Sequence, residues 1–512
     1  MVDAEDLKSS ARKGVWVRFP PRVLNIGALQ GTTLDGANTV SMPIRLRPIV
    51  QVLLVIVAAA IIAACGGDDD DGGRKQATVG SNLAPDTTFA GDGVAQPKLD
   101  AKFALAYDVA LDGDDVIAAG FESPGSGFAG AKGVVMRLDG KGRLDRDFGD
   151  DGIYRADLAR DKRSGTAAQW VQAVGDGKLL VGAVQLNEDE AATAVSVVRL
   201  DDNGKPDADY GNRGVARVAL DGLVGLVDIA ADDDGAVYIS SDAADHAARL
   251  VRLTPDGEND AKFGDGGEVT LDTVADETTS TGVVIADGKP TLVTAVTSTE
   301  RAELVLRRYT STGEIDAEFG TTAGSSIHEL AAAYASGAVL DDDGQLYVGR
   351  SAADESEAGA SLESLDAGST MSVARFDTKG QLDTKFGDEG EAATGLSVGA
   401  DDLVDMAVQP DGKLLVLAGD TGLARLTTAG SLDAKFGDAG VLRLAPQGGA
   451  GDEEGDLFAE SETTGSGDDS AVAALGLSFA HFAIQDDGKL VFAAWPLDQA
   501  GFRVVRMAPA KN

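Results

Sequence analysis

The chain has 512 residues, 44 Lys plus Arg against 84 Asp plus Glu, and a formal charge of -40. A field of that sign repels phosphate backbones, which argues against nucleic acid as a partner. One cysteine excludes an intramolecular disulfide framework, and 43% apolar residues in periodic arrangement indicate a folded core rather than acidic disorder.

Residues 1–41 carry no clear periodicity and precede a second methionine, Met42. Met42 is the expected start, because the upstream stretch would bury the basic region that follows inside a long leader. Arg45 and Arg47 precede an apolar run from Ile49 to Ala64, interrupted only by Gln51, which ends in Ile62-Ala63-Ala64-Cys65. The run is short for a membrane span, and small residues before a cleavage point fit a signal peptide over 42–64. Ile-Ala-Ala-Cys resembles the bacterial lipoprotein box, which implies that Cys65 is lipidated and becomes the mature first residue. Two or more acyl chains suffice for stable anchoring, and the lipid is the only membrane contact expected. Cleavage there discards seven basic and four acidic residues, taking the formal charge from -40 to -43. Residues 65–84, with Gly66-Gly67, four aspartates and Gly72-Gly73, read as a flexible acidic tether.

From Pro85 onward one stretch recurs. Its clearest copies are Leu432-Asp433-Ala434-Lys435-Phe436-Gly437, Leu382-Asp383-Thr384-Lys385-Phe386-Gly387 and Leu144-Asp145-Arg146-Asp147-Phe148-Gly149. Looser copies centre on Phe89, Tyr210, Phe263 and Phe319; each of the seven aromatics follows an Asp by three residues. After the turn comes a short strand such as Val215 to Val218. A hairpin broken at Asp-Gly follows, best seen in Met406 to Leu417 around Pro410-Asp411-Gly412. Next is an apolar run ending in Arg, as in Val197-Val198-Arg199, and another glycine turn. Four short strands per unit, repeated seven times, predict an all-β, seven-bladed β-propeller over 85–512. A β-solenoid would need shorter rungs and polar caps. Insertions at Ser351 to Thr370 and Pro446 to Ser478 belong to loops.

The pattern D-x-x-F-G-x-x-G, an apolar strand, Q-x-D-G-K and a final R resembles the delta-60 repeat, a family of β-propeller repeats of bacterial surface and secreted proteins. The resemblance covers roughly Pro85 to Ala510 and is best at Phe386 and Phe436. It departs at Phe89, where Ala90 replaces glycine, and at Phe319, where an extra residue precedes Gly324. It implies a fold and an address, and no ligand, reaction or catalytic residue.

The Asp-x-x-Phe-Gly copies bring further carboxylates, but none has the alternating oxygen ligands of a calcium loop, and Asn212 and Arg213 follow Tyr210. A structural turn is the favoured reading, with Asp bonding backbone and the aromatic packing between blades; calcium at the Asp-rich loops stays open. Asp112, Asp176, Asp234, Asp287, Asp343, Asp411 and Asp487, at the hairpin turns, are expected on one face. There they could concentrate cations or steer a basic partner, against the plainer reading of good turn chemistry. Gly395-Leu396-Ser397-Val398-Gly399 matches the nucleophile elbow of esterases but lies inside a β-repeat, so Ser397 is not expected to be catalytic. His246, His328 and His481 show no zinc spacing, and the last two read as packing or rim residues. No Walker loop, dinucleotide fingerprint or His-Glu-x-x-His appears, and no cofactor is expected.

Six units place an Arg eight residues before the turn Asp: Arg137, Arg199, Arg252, Arg308, Arg375 and Arg425. Asp86 and Arg506 are left over at the two ends. The prediction is that the strand after Phe89, near Gly93 to Leu99, completes the last blade and sets Asp86 beside Arg506. The functional expectation is an exported, lipid-anchored, monomeric, non-catalytic binding or scaffolding module on the outer face of a bacterial membrane, its partner an envelope protein or polysaccharide. The competing reading is a hydrolase or lyase acting on polymers at the channel mouth; propellers host both.

Overall fold

A computed structural model describes residues 77–510 except 126, 188–191, 219–222, 244–246, 272–276, 298–301, 323, 331–332, 353–368, 399–403, 419–420, 445–476 and 497–500. Cys65, residues 42–64 read as a signal peptide, His246 and most of both long insertions lie outside the described residues.

Among the described residues there is no helix; the chain forms seven antiparallel sheets, six of four strands and one whose outer position is shared by two short strands. The first blade is β3 (Phe103–Asp112), β4 (Asp115–Ser123), β5 (Lys132–Leu138) and β6 (Ile153–Ala156). The second is β7 (Gly165–Ala173), β8 (Leu179–Leu186), β9 (Ala192–Leu200) and β10 (Val215–Val218). The third has β11 (Leu223–Ala231), β12 (Val237–Ala243), β13 (Ala248–Leu253) and β14 (Glu268–Leu271). The fourth has β15 (Glu277–Ala286), β16 (Lys289–Thr297), β17 (Ala302–Arg308) and β18 (Ser325–Leu330). The fifth has β19 (Ala333–Leu340), β20 (Leu346–Ala352), β21 (Ser369–Phe376) and β22 (Glu391–Val398). The sixth has β23 (Val404–Val408), β24 (Leu414–Ala418), β25 (Gly422–Leu426) and β26 (Val441–Arg443). The predicted seven-bladed propeller is the fold.

Each sequence unit straddles two blades. Its first strand is the outer strand of one blade, and its next three are the inner strands of the following blade. The last unit therefore leaves β27 (Leu477–Ile484), β28 (Leu490–Pro496) and β29 (Arg503–Pro509) without an outer strand. The chain's other end supplies it: β1 (Leu83–Pro85) and β2 (Val94–Ala95) lie one after the other along β29. Register runs Leu83 to Pro509, Pro85 to Met507 and Val94 to Val505. The closing strand is shorter than the expected Gly93 to Leu99, and the folded segment begins before Pro85. Ala77 N–H donates to the Asp486 carbonyl, Ala510 N–H donates to Asn82, and Val79 and Leu83 are buried among Leu477, Phe479 and Met507.

The core lies between neighbouring sheets. One cluster joins Val373, Phe386 and Leu396 of the fifth blade to Met406, Val416 and Leu426 of the sixth. Inner strands are buried on both faces, which is why β8 reads Leu-Leu-Val-Gly-Ala-Val-Gln-Leu without polar alternation, every residue buried.

Candidate functional site

The repeated motif is a joint between blades. In each unit the Arg at the end of the third strand reaches the turn Asp eight residues on. Its Nε donates to Oδ2 at 2.7 Å for Arg137 and Asp145 and 2.9 Å for Arg199 and Asp207, with the same distance for Arg308 and Asp316 and for Arg425 and Asp433. Nη1 crosses to the next blade, donating to the carbonyls of Asp202, Pro255, Thr378 and Thr428 from Arg137, Arg199, Arg308 and Arg375. The guanidinium lies 4.5 Å over Phe386 and Phe436 in the units of Arg375 and Arg425. Blade three departs from the pattern: Arg252 lies over Tyr238, donates Nε to its hydroxyl, and also contacts Asp260.

All seven turn aromatics are buried, and a glycine of the next blade presses on most of the rings. At Gly204 (φ +69°) a Cβ would come within 2.7 Å of the Phe148 ring, so only glycine fits. The amide after the aromatic donates across the same joint, from Gly149 to Asn203 and from Gly387 to Ala429. Ala90 makes the equivalent bond to Lys141 and adopts φ +52°, the left-handed conformation that glycine takes elsewhere. The lysine after several hairpin turns adds a second cation: Lys178 to Asp207 at 3.2 Å, Lys289 to Asp316 at 3.0 Å and Lys413 to Asp433 at 3.4 Å. The turn carboxylates are thereby committed to holding blades. Among the described residues no group of three His, Cys, Asp or Glu is arranged to hold a metal.

The seam reproduces the joint. Arg506 Nε donates to Asp86 Oδ2 at 2.9 Å, Nη1 donates to the Gly140 carbonyl at 2.7 Å, and the guanidinium lies 4.6 Å over Phe89. Asp86 and Arg506 are beside each other as the repeat offset predicts, and both are buried.

A second polar constellation had no sequence motif. The innermost strands β3, β11, β23 and β27 carry Asp108, Asp228, Asp405 and His481, all nearly inaccessible. Each Asp bridges two blades: Asp108 accepts from Val109 N–H at 2.8 Å and from Val171 N–H of β7 at 2.7 Å. Asp228 accepts from Ile229 and, at 3.0 Å, from Val283 of β15. Asp405 accepts from Met406 and, at 2.9 Å, from Phe482 of β27. Trp170, Gly282 and Gly337 hold the corresponding places in the other blades. Register shifts at or near this level occur in β3, β7, β11, β15, β19 and β27, consistent with bulges that re-aim the residue.

His481 Nδ1 lies 3.4 Å from Asp405 Oδ2. Burial disfavours its charged form, but Asp405, Asp108 and Asp228 outweigh burial and raise it to about 8. Burial pushes Asp108 up to about 6 and Asp228 well above the usual carboxylate range, with His481 opposing both. The sequence reading of His481 as a packing or rim residue missed this charge pairing. His328 does sit at a packing position, its ring 4.8 Å from Phe376 and its Nε2 2.8 Å from Ser326 Oγ. Ser326 is fully buried, so this Ser–His pair offers no exposed nucleophile. Ser397 is exposed within β22, opposite Thr370, and not on a strand-to-helix elbow. The hairpin Asp-Gly turns all join first and second strands and share one face, where Asp176, Asp234, Asp287, Asp343, Asp411 and Asp487 are exposed.

Residues 409–436 match the family described as "Domain of unknown function (DUF5122) beta-propeller". No curated protein matches the chain. Among solved structures, the chain is similar to the beta-propeller domain of the Trilobed protease from Pyrococcus furiosus, described as having an open velcro topology. Identity is 9% and the TM-score 0.39, covering 80% of this chain and 94% of that one.

Proposed function

We propose that the protein is an exported, lipid-anchored β-propeller of the bacterial envelope that works as a non-catalytic binding or scaffolding module. The observation that carries this reading is the use made of the repeated residues. The Arg, Asp, aromatic and Gly that recur in the units are engaged in blade joints, the aromatics buried and the Arg and Asp buried or half-buried. What varies between units is the loops, where a rigid ring presents binding residues. The address rests on Ile62-Ala63-Ala64-Cys65 behind an apolar run and two arginines.

Two measurements test the reading. Cys65→Ser should move the protein from the membrane fraction to a soluble or unprocessed form; unchanged fractionation with an unchanged mature amino terminus overturns the anchor. Purified residues 77–512 should capture an envelope protein or polysaccharide reproducibly from extracts, with and without calcium. Release of oligosaccharide from envelope polymers by the same preparation would instead favour the hydrolase or lyase reading.

A further inference from the structure

His481 occupies a particular place in the ring. It sits on β27, the innermost strand of the blade that the two chain ends assemble together, and β27 packs on β23 of the sixth blade and β3 of the first. Both ring nitrogens are buried and lack a hydrogen-bond partner among the described residues, while Asp405 Oδ2 stands 3.4 Å from Nδ1. A neutral imidazole would leave two buried polar atoms uncompensated. An imidazolium has the Asp405 carboxylate 3.4 Å from Nδ1 as its counter-charge.

We propose that His481 is a protonated keystone: its imidazolium ties the closing blade to the sixth blade through Asp405, coupling ring closure to one proton.

The charged groups acting on His481 come from three other innermost strands. Asp405 is contributed by β23, Asp108 by β3, and Asp228 by β11 across the ring. The pairing strand β28 has no ionisable side chain, and β27 has none besides His481. On β3, Tyr107 is stacked on Phe121 and Asp112 lies at the hairpin turn. Each carboxylate is also held by two backbone N–H groups from adjacent blades, so the anions cannot swing away when the cation is lost.

The direction of the linkage follows. A histidine raised to about 8 against an ordinary 6.5 contributes stability that is complete below 6.5 and lost as pH rises through 8. Asp108, raised to about 6, acts in a lower window: its contribution favours the fold below about 3.9 and is surrendered as pH rises through 6. Above pH 8 His481 is neutral, and the Asp405 carboxylate beside it loses its buried counter-charge at the blade built from the two chain ends.

Imidazole nitrogen resonances of the intact protein test this directly. Both nitrogens of His481 should be protonated at pH 7 and titrate near 8, with the Phe482 amide following the same curve. Hydrogen-exchange protection of β29, corrected for intrinsic exchange, should fall by up to about fifteen-fold between pH 6.5 and 9, while β20 and β21 hold theirs. Asp405→Asn should bring the His481 titration down toward 6.5. His481→Gln, if folded, should flatten the pH dependence of β29 protection. A wild-type His481 that titrates at or below 6.5, or equal loss of protection in β29 and β21, overturns the proposal.

Discussion

Removing the guanidinium at the seam should open the ring at one place. In Arg506→Ala the chain loses the bond to Asp86 at 2.9 Å, the bond to the Gly140 carbonyl at 2.7 Å, the bond to Thr88 Oγ1 at 3.1 Å and the stacking on Phe89. Side-chain exposure is 5% for Arg506 and 7% for Asp86, so this is a buried pair, for which loss of one partner costs about 3–5 kcal/mol. An exposed bridge of the same groups would be worth about 1 kcal/mol or less. Asp86 is not wholly abandoned: Thr88 N–H and Oγ1 still donate to Oδ1 and Lys489 remains at 3.7 Å, which places the expected loss near the lower end, about 3 kcal/mol. Arg146→Ala is the control, since Arg146 and Asp151 form a pair with side chains 80% and 67% exposed; it should shift stability by less than about 1 kcal/mol. Urea unfolding gives the total. Hydrogen exchange locates it, with β29 and β27 losing protection before blades two to four. A loss no larger than that of Arg146→Ala, or uniform loss of protection around the ring, refutes the reasoning.

Gly430→Ala should be costly in the same assay, about 3 kcal/mol, because its Cβ would stand 2.3 Å from the Gly387 nitrogen at φ +81°; a change under about 1 kcal/mol would show that the joint yields. Burial raises Asp86, Asp207, Asp316, Asp383 and Asp433, yet hydrogen bonds and the facing Arg and Lys hold all five below the ordinary value. Their stabilisation is therefore present above about pH 4 and lost as pH falls through the lowered values, and an acid titration monitored by near-UV circular dichroism should show unfolding confined to that range. Ser397→Ala should leave any esterase activity unaltered, and labelling of Ser397 by a fluorophosphonate probe would contradict this. A circular permutant joining Ala510 to Ala77 by a short linker and opening between β6 and β7 should fold to the native circular dichroism spectrum; failure to do so would mean that the seam needs free ends.

The joints were legible because their parts recur at fixed offsets: Arg137 to Asp145 and Arg425 to Asp433 keep eight residues while the loops between units change. Closure followed from the two unmatched members, Asp86 and Arg506. The axial carboxylates were not legible, because only some blades use the position. Asp228, Asp405 and His481 each stand seven residues before a hairpin glycine, as do Trp170 and Gly337. The offset was visible, but four different residue types at one level do not announce a site. Position became meaningful only when the fold placed Asp405 of one blade beside His481 of the next.

The half-step offset between sequence unit and blade has a genetic consequence. A segment duplicated or lost by recombination between any two matching points carries one outer strand and the three inner strands of the next blade. Each such segment ends with a guanidinium awaiting an aspartate and begins with an aspartate awaiting a guanidinium. The two ends of the repeat array therefore still encode complementary parts of one blade after units have been gained or lost, and the number of blades can change without a new closing interface.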